Sequence, residues 1–163
     1  LIDLAVHGLD LVLWWLGDYE QVSYCDDSMG GVEANCELHL KLASGASGVI
    51  EASRTRKLRN TCIISGERGT LEVGIWDLMG LVKLNLANQP ITLKGVDDEV
   101  SEPWGDVFRR QFNDFAAAVR DGREPFVPGR EARRSIQLID DCYASRQPLL
   151  QPWSFPAANV GTI

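Results

Sequence analysis

Residues 34–43, ANCELHLKLA, alternate between apolar and polar side chains over their whole length. Successive side chains of a β-strand point to opposite faces of the sheet, so such alternation is typical of a strand with one buried face. The apolar positions are Cys36, Leu38, Leu40 and Leu42, and the polar positions are Glu37, His39 and Lys41. This stretch therefore predicts a sheet that is covered on one side and open on the other.

Short segments on both sides of this strand carry similar patterns between turn residues. They are QVSYC (21–25), GVIEASR (48–54), TCIISGERGTLEVGI (61–75, two strands joined at Gly66–Gly69), LVKLNLA (81–87) and ITLKG (91–95). Runs of short strands joined by tight turns are typical of antiparallel sheets. The strands of this chain therefore predict an open, mostly antiparallel β-sheet.

Three segments have the apolar spacing of helices. They are residues 1–16, which stop at Gly17, residues 104–122, and residues 126–147, where the helix is expected to start near Pro128–Gly129. The expected buried positions of the last segment are Ile136, Leu138, Ile139 and Tyr143. The combined pattern predicts an α+β fold, with helices packed on one face of the sheet. We expect one domain over residues 1–150 and an irregular tail over 151–163. The open sheet face predicts a homo-oligomer.

Composition limits the class of protein. The net charge of −7 and pI of about 4.8 argue against a nucleic-acid or anionic-membrane binder, which needs a basic surface. No apolar run reaches the ~20 residues of a membrane span. The four cysteines form no C-x-x-C pair, which favours reduced thiols in a cytoplasmic protein and no zinc site. The chain begins with Leu and has no helix N-cap, so we expect it to be part of a longer protein.

One polar seam interrupts the apolar opening stretch, LIDLAVHGLDLVLWWLG (1–17). Asp3, His7 and Asp10 are spaced by four and three residues, which places them on one face of a helix. Three interpretations remain open on spacing alone. The seam is an exposed Asp–His pair, a metal site with a third ligand from elsewhere, or an acid–base site with His7 as proton acceptor and Asp3 orienting it.

Several segments in order resemble the C-terminal domain of the Gfo/Idh/MocA oxidoreductases, the family of glucose-fructose oxidoreductase and inositol dehydrogenase. The opening D-x-x-x-H-x-x-D is similar to the motif that begins that domain. GVIEASR resembles its central strand, IISGERGTLEV its G-x-x-G-T-L hairpin, and residues 112–145 its closing pair of helices. The resemblance covers roughly residues 1–150.

This resemblance implies a hydride transfer between NAD or NADP and a sugar, inositol or related polyol. It implies that His7 handles the proton of the reacting hydroxyl and that Asp3 assists in substrate binding and catalysis. In the family a separate Rossmann half binds the cofactor and supplies a lysine in an E-K-P motif. Neither G-x-G-x-x-G nor E-K-P occurs here. We therefore expect no cofactor-binding residues and no turnover in this segment alone.

Other residues give weaker signals. Asp10 is expected to bind substrate or to serve as a structural carboxylate. Arg54 directly follows the GVIEAS strand, in the basic stretch SRTRKLRN, and is a candidate for binding an anionic group of the substrate. The alternative is that this basic stretch is a solvated or intersubunit charge cluster without a ligand. Glu131, Arg133 and Arg134 are interpreted as a solvated helix face. Two alternative functions stay open: a non-catalytic binding or assembly module that uses the sheet face, and a metal-dependent hydrolase or lyase.

Overall fold

The computed structural model describes residues 1, 3, 5–75, 81–87, 89–94 and 103–149. Its elements in chain order are α1 (Val6–Leu16), β1 (Tyr19–Asp26), β2 (Asn35–Leu42), β3 (Ser47–Ser53), β4 (Thr61–Gly66), β5 (Gly69–Gly74), β6 (Leu81–Leu86), β7 (Gln89–Lys94), α2 (Pro103–Asp121), α3 (Gly129–Ala144) and β8 (Arg146–Pro148). The α+β fold class is confirmed. The predicted tail, 151–163, lies outside the described residues.

The chain divides into two compact units, residues 1–58 with 129–163 and residues 59–128. Each unit contains one four-stranded sheet, with strand orders β3-β2-β1-β8 and β4-β5-β6-β7. The sequence pattern predicts one sheet, and the structure has two, because alternation within a strand carries no information about which strands pair. The single domain over residues 1–150 stays a prediction.

The sheet of the first unit is antiparallel except at one edge. β2 pairs with β1 and β3 in antiparallel register, and β8 joins β1 in parallel. The face predicted for β2 is confirmed, since Leu38, Leu40 and Leu42 are each at most 3% exposed. Burying a leucine side chain contributes about 1.5–3 kcal/mol, so these positions account for much of the strand's placement.

Helices α1 and α3 pack on each other and complete this core. α1 buries Leu9 and Leu13, and α3 buries Leu138 and Ile139. The prediction for Ile136 is wrong, because this side chain is 44% exposed. The buried face of α3 is formed by Ser135, Leu138, Ile139 and Cys142. Ile136 lies roughly 100° around the helix from Ser135, at the border of that face.

The second unit is a meander of four antiparallel strands. Gly69 begins β5 with φ of 152°, and a Cβ there would overlap the backbone carbonyl of Asn85 on β6. Only glycine permits this approach of two strands. The G-x-x-G-T-L hairpin at residues 66–71 therefore needs its second glycine for packing as well as for the turn.

Helix α2 belongs to the second unit and ends at Asp121, and the next residue, Gly122, has φ of 64°. The carboxylate of Asp114 accepts hydrogen bonds from the backbone of Phe126, over 2.6 Å, and from Arg123, over 2.7 Å, which ties the following turn back to the helix. Phe112 and Phe115 are 70% and 59% exposed. Within the described residues, no helix combines the length and apolar character needed to cross a membrane.

Candidate functional site

Two of the four predicted site residues meet at the rim of one cavity. The guanidinium of Arg54 donates a hydrogen bond to the carboxylate of Asp3 and forms an ion pair with it. Both side chains line a cavity of about 260 Å³ in the first unit. Their side chains remain 49% and 72% exposed. An exposed ion pair of this kind is weak, so a ligand is able to replace either partner.

Arg54 reaches this rim because it directly follows β3. Its backbone N–H donates to the carbonyl of Ala34, over 2.8 Å, and extends the pairing of β2 with β3 by one bond. Because β2 and β3 are antiparallel and Asn35 pairs with Ser53, the start of β2 lies beside the end of β3. The charge of Arg54 is matched by that of Asp3, and the predicted role of Arg54 in binding an anionic substrate group stays a prediction.

A buried polar cluster forms another wall of the cavity, and sequence reasoning missed it. The carboxylate of Glu33 accepts a hydrogen bond from the Tyr143 hydroxyl, over 2.9 Å. Arg146 stacks over the Tyr143 ring, 4.7 Å from its centroid, and its Nε lies 2.7 Å from Asp26 Oδ2. Asp26 and Glu33 are 3% and 9% exposed, and a buried carboxylate needs such partners. The acidic, Gly-rich loop after β1 was the only visible signal.

His7 lies on the exposed surface of α1, in its first turn. Asp3 precedes the helix, in a turn closed by the bond from Ala5 N–H to the Leu1 carbonyl. The sequence pattern predicts one helix through Asp3, His7 and Asp10. In the structure α1 starts at Val6, so His7 and Asp10 lie on the helix and Asp3 lies in the turn before it. Of the four predicted residues, only Asp3 and Arg54 are among those that line the cavity described above.

Asp10 faces the neighbouring helix. Its carboxylate accepts a hydrogen bond from the hydroxyl of Ser135 on α3, over 3.1 Å. Ser135 is 4% exposed and its hydroxyl also contacts the Ala132 carbonyl. This bond ties the middle of α1 to α3, so Asp10 helps to hold the helix that carries His7.

Arg134 fastens the other end of α1, and its interpretation as part of a solvated face is wrong. Its guanidinium donates to the Leu13 carbonyl, over 3.0 Å, and to Asp18, over 2.8 Å. It also bonds Glu131 one turn earlier on α3. The two carboxylates and the carbonyl together hold this side chain in place. Its positive charge lies at the C-terminus of α1, where the helix dipole favours a cation. The hydrogen bonds with Glu131 and Asp18 raise the pKa of Arg134 despite its partial burial.

Two further basic side chains have carboxylate neighbours on the same or the adjacent segment. Arg56 lies 3.9 Å from Glu51, and His39 bonds Glu37 over 2.6 Å at the surface. Burial raises the pKa of the Cys142 thiol to about 12. All four cysteines are free. Among the described residues, no group of three histidine, cysteine or carboxylate side chains is arranged to hold a metal ion.

Comparison with known proteins gives a family for most of the chain. Residues 1–149 match the family model described as "Oxidoreductase family, C-terminal alpha/beta domain". A search by sequence among curated proteins finds no match.

Solved structures give the same fold. The WlbA dehydrogenase from Bordetella pertussis, in complex with NADH and UDP-GlcNAcA, is 24% identical with a TM-score of 0.61, covering 86% of this chain and 41% of that one. Levoglucosan dehydrogenase, in complex with NADH and levoglucosan, is 17% identical with a TM-score of 0.73, covering 88% and 46%. The aldose-aldose oxidoreductase from Caulobacter crescentus, complexed with glycerol, is 18% identical with a TM-score of 0.73, covering 88% and 44%. The chain therefore spans less than half the length of each of these structures.

Proposed function

Since the chain belongs to the Gfo/Idh/MocA family of oxidoreductases, as its C-terminal α/β domain over residues 1–149, we propose that it forms the substrate side of an NAD(P)-dependent dehydrogenase. The substrate class is a sugar, an inositol or a related polyol. The chemistry is the transfer of a hydride between a carbinol carbon and a nicotinamide. Three similar folds belong to proteins crystallised with NADH or with a polyol, which supports this class.

The observation that carries the proposal is the placement of a cation–carboxylate pair and a histidine at successive turns. Asp3 and Arg54 meet at the cavity rim, and His7 is exposed one turn farther along. When a hydride leaves a carbinol carbon, the hydroxyl must lose its proton. A neutral imidazole is suited to accept that proton, and we assign this role to His7.

Asp3 and Arg54 would orient the substrate. A polyol offers hydroxyl groups that donate to a carboxylate and accept from a guanidinium, and both partners are present in one exposed pair. A substrate that bridges the two replaces their mutual bond with bonds to itself. Asp10 has a supporting role in this proposal, since its bond to Ser135 holds α1 against α3.

In this proposal the dinucleotide is bound mainly outside the described residues. The cavity beside Asp3 has a volume of about 260 Å³, which is below the roughly 300–1,000 Å³ of pockets for drug-sized ligands. NAD(P) is larger than such ligands. The cofactor therefore belongs, in this proposal, to a separate Rossmann domain of the intact protein. The residues of this chain bind and orient the substrate and take up its proton.

Turnover of the intact protein, encoded with whatever precedes Leu1 in its gene, tests the proposal. We expect reduction of NAD or NADP with members of a panel of free sugars, inositols, uronic acids and nucleotide sugars. Asp3→Asn is expected to lower kcat/KM on the order of 10- to 100-fold, because substrate orientation is lost. Glu20→Gln, in an exposed ion pair with Lys41 and not among the residues that line the cavity, is the matched control and should keep kcat/KM within a few-fold. Failure of every substrate with both cofactors contradicts the proposal.

A second role, assembly with another copy of the chain, is favoured by one face of the β4–β7 sheet. The paired residues Ile64, Leu71, Leu84 and Ile91 form an apolar row across all four strands, because directly opposite residues share a face. Ile91 and Leu93 on the same face are 40% and 50% exposed. We propose that this face pairs with its equivalent in a homo-oligomer.

Sedimentation of the intact protein tests this role. Leu93→Lys places a charge on the apolar face, whereas Leu81→Lys places one on the opposite face of the neighbouring strand, where Leu81 is 53% exposed. We expect the first variant to dissociate and the second to remain assembled. An unchanged oligomer in Leu93→Lys, or a wild-type monomer at micromolar concentration, contradicts assembly through this face.

A further inference from the structure

One buried amide connects three segments beside the cavity rim. Asn35, at the start of β2, is 2% exposed. Its Nδ2 donates to the Asp27 carboxylate over 2.7 Å. Its Oδ1 accepts from the hydroxyls of Ser53, over 2.5 Å, and Thr55, over 2.9 Å. A buried amide with its donor and its acceptor both in use is held in one orientation.

The two hydroxyls that donate to Asn35 Oδ1 belong to the residues on either side of Arg54. Ser53 Oγ also accepts from the backbone N–H of Thr55 and of Arg56, over 3.2 and 2.8 Å, which closes a tight turn around Arg54. The N–H of Arg54 donates to the carbonyl of Ala34, the residue before Asn35. The backbone of Arg54 is therefore fixed before, at and after its own position.

The Arg54 side chain has no comparable support. It is 49% exposed, and its guanidinium meets Asp3 at the surface. An arginine side chain has several rotatable bonds, and holding it in one conformation costs conformational entropy. Its position at the rim therefore depends strongly on where the turn around residues 53–56 holds its Cα.

We propose that Asn35 is a positioning residue, which holds Arg54 against Asp3 through Ser53 and Thr55. Its effect on turnover rests on the proposed function, in which Arg54 and Asp3 contact the substrate. Asn35 touches neither substrate nor cofactor. Its contribution passes through Arg54 alone, and this distinguishes it from a residue that merely stabilises the sheet.

A double-mutant cycle in the intact protein tests the kinetic part. Asn35→Ala and Arg54→Ala are each expected to raise the substrate KM on the order of tenfold, with a smaller change in kcat, since displacement by ~1 Å costs up to a hundredfold. The double variant should match Arg54→Ala within about twofold. Thr55→Val removes one hydroxyl at little cost to folding and should shift KM in the same direction. Leu42→Val, at the other end of β2, is the control that lowers stability without changing KM.

A measurement without substrate separates this proposal from the proposed function. The Nη–H protons of Arg54, whose Nη2 donates to Asp3, are followed by NMR in the ¹⁵N-labelled intact protein at low temperature, and their exchange with water is expected to rise severalfold in Asn35→Ala and in Thr55→Val. Unchanged exchange in both variants overturns the positioning role, as does an effect of Asn35→Ala on KM that multiplies that of Arg54→Ala. Faster exchange together with normal kinetics in Arg54→Ala supports the positioning role and contradicts the substrate contact.

Discussion

The guanidinium of Arg134 donates a hydrogen bond to the backbone carbonyl of Leu13, 3.0 Å away, and so joins α3 to the last turn of α1. The two residues are 121 positions apart in the chain. The Leu13 carbonyl also accepts the N–H of Gly17, so it is used twice at the point where the helix ends. The first turn of the same helix carries His7, and the placement of that residue depends on how firmly α1 is held.

Loss of the Arg134 contact is expected to destabilise the fold. Arg134→Gln removes the bonds to Leu13 and Asp18, and hydrogen bonds that involve a charged group contribute about 1.5–3 kcal/mol. The free energy of unfolding, measured with urea, should fall by roughly that amount. Arg133→Gln is the matched control, because Arg133 is the exposed neighbour on α3. Equal stability of the two variants would contradict a clamp at this position.

The hairpin between β4 and β5 is expected to tolerate alanine at one glycine and not at the other. Gly69→Ala introduces a Cβ into the backbone of Asn85 at a φ of 152°, and the conformation alone costs about 1–3 kcal/mol. Gly66→Ala points its Cβ into open space. Thermal unfolding should show a clear loss of Tm for the first variant and little change for the second. Similar Tm values would mean that the close approach of β5 and β6 is not required.

The stability of the first unit is expected to depend on pH through Asp27. Partial burial raises the pKa of this carboxyl, but hydrogen bonds from Asn35 and Ala34 outweigh it and hold the pKa below the ordinary value of 3.8. A pKa lowered by folding adds stability above that value, and the added stability is lost as the pH falls through the lower pKa.

The variant Asp27→Asn isolates this contribution, because it cannot titrate. Urea unfolding should show wild type more stable than Asp27→Asn near neutral pH, with the difference shrinking as the pH falls below 3.8. A difference that is constant with pH would show that the Asp27 charge has no part in holding Asn35.

β2 could be predicted from sequence because its apolar residues alternate onto a buried face, and the other predicted strands are indicated by short apolar segments between turn residues. β8 could not, since its three residues, 146–148, are too few to show a period and are positioned by pairing with β1. The division into two sheets depends on strand partners, about which alternation within a strand carries no information. The sequence does predict helix α1, but not that it begins only at Val6.

The candidate site could be predicted residue by residue but not as an arrangement. The D-x-x-x-H-x-x-D motif draws attention to Asp3, His7 and Asp10, and the end of a strand to Arg54. The pairing of Asp3 with Arg54 spans 51 positions, and no local pattern in the sequence indicates which distant residues will meet. Glu33 and Arg146 were missed because they meet only after β1 and β8 have paired, and a single carboxylate or arginine carries no pattern.

The most direct test of the central claim is the turnover of His7→Gln in the intact protein, measured beside His39→Gln. Both histidines are exposed, but only His7 is assigned the role of accepting the substrate proton. Removal of a general base lowers the rate by roughly 10²–10⁴-fold. We expect NAD(P)-dependent turnover to fall by that factor in His7→Gln and to stay within about twofold of wild type in His39→Gln. Wild-type turnover in His7→Gln would contradict the assignment of His7 as the residue that accepts the substrate proton.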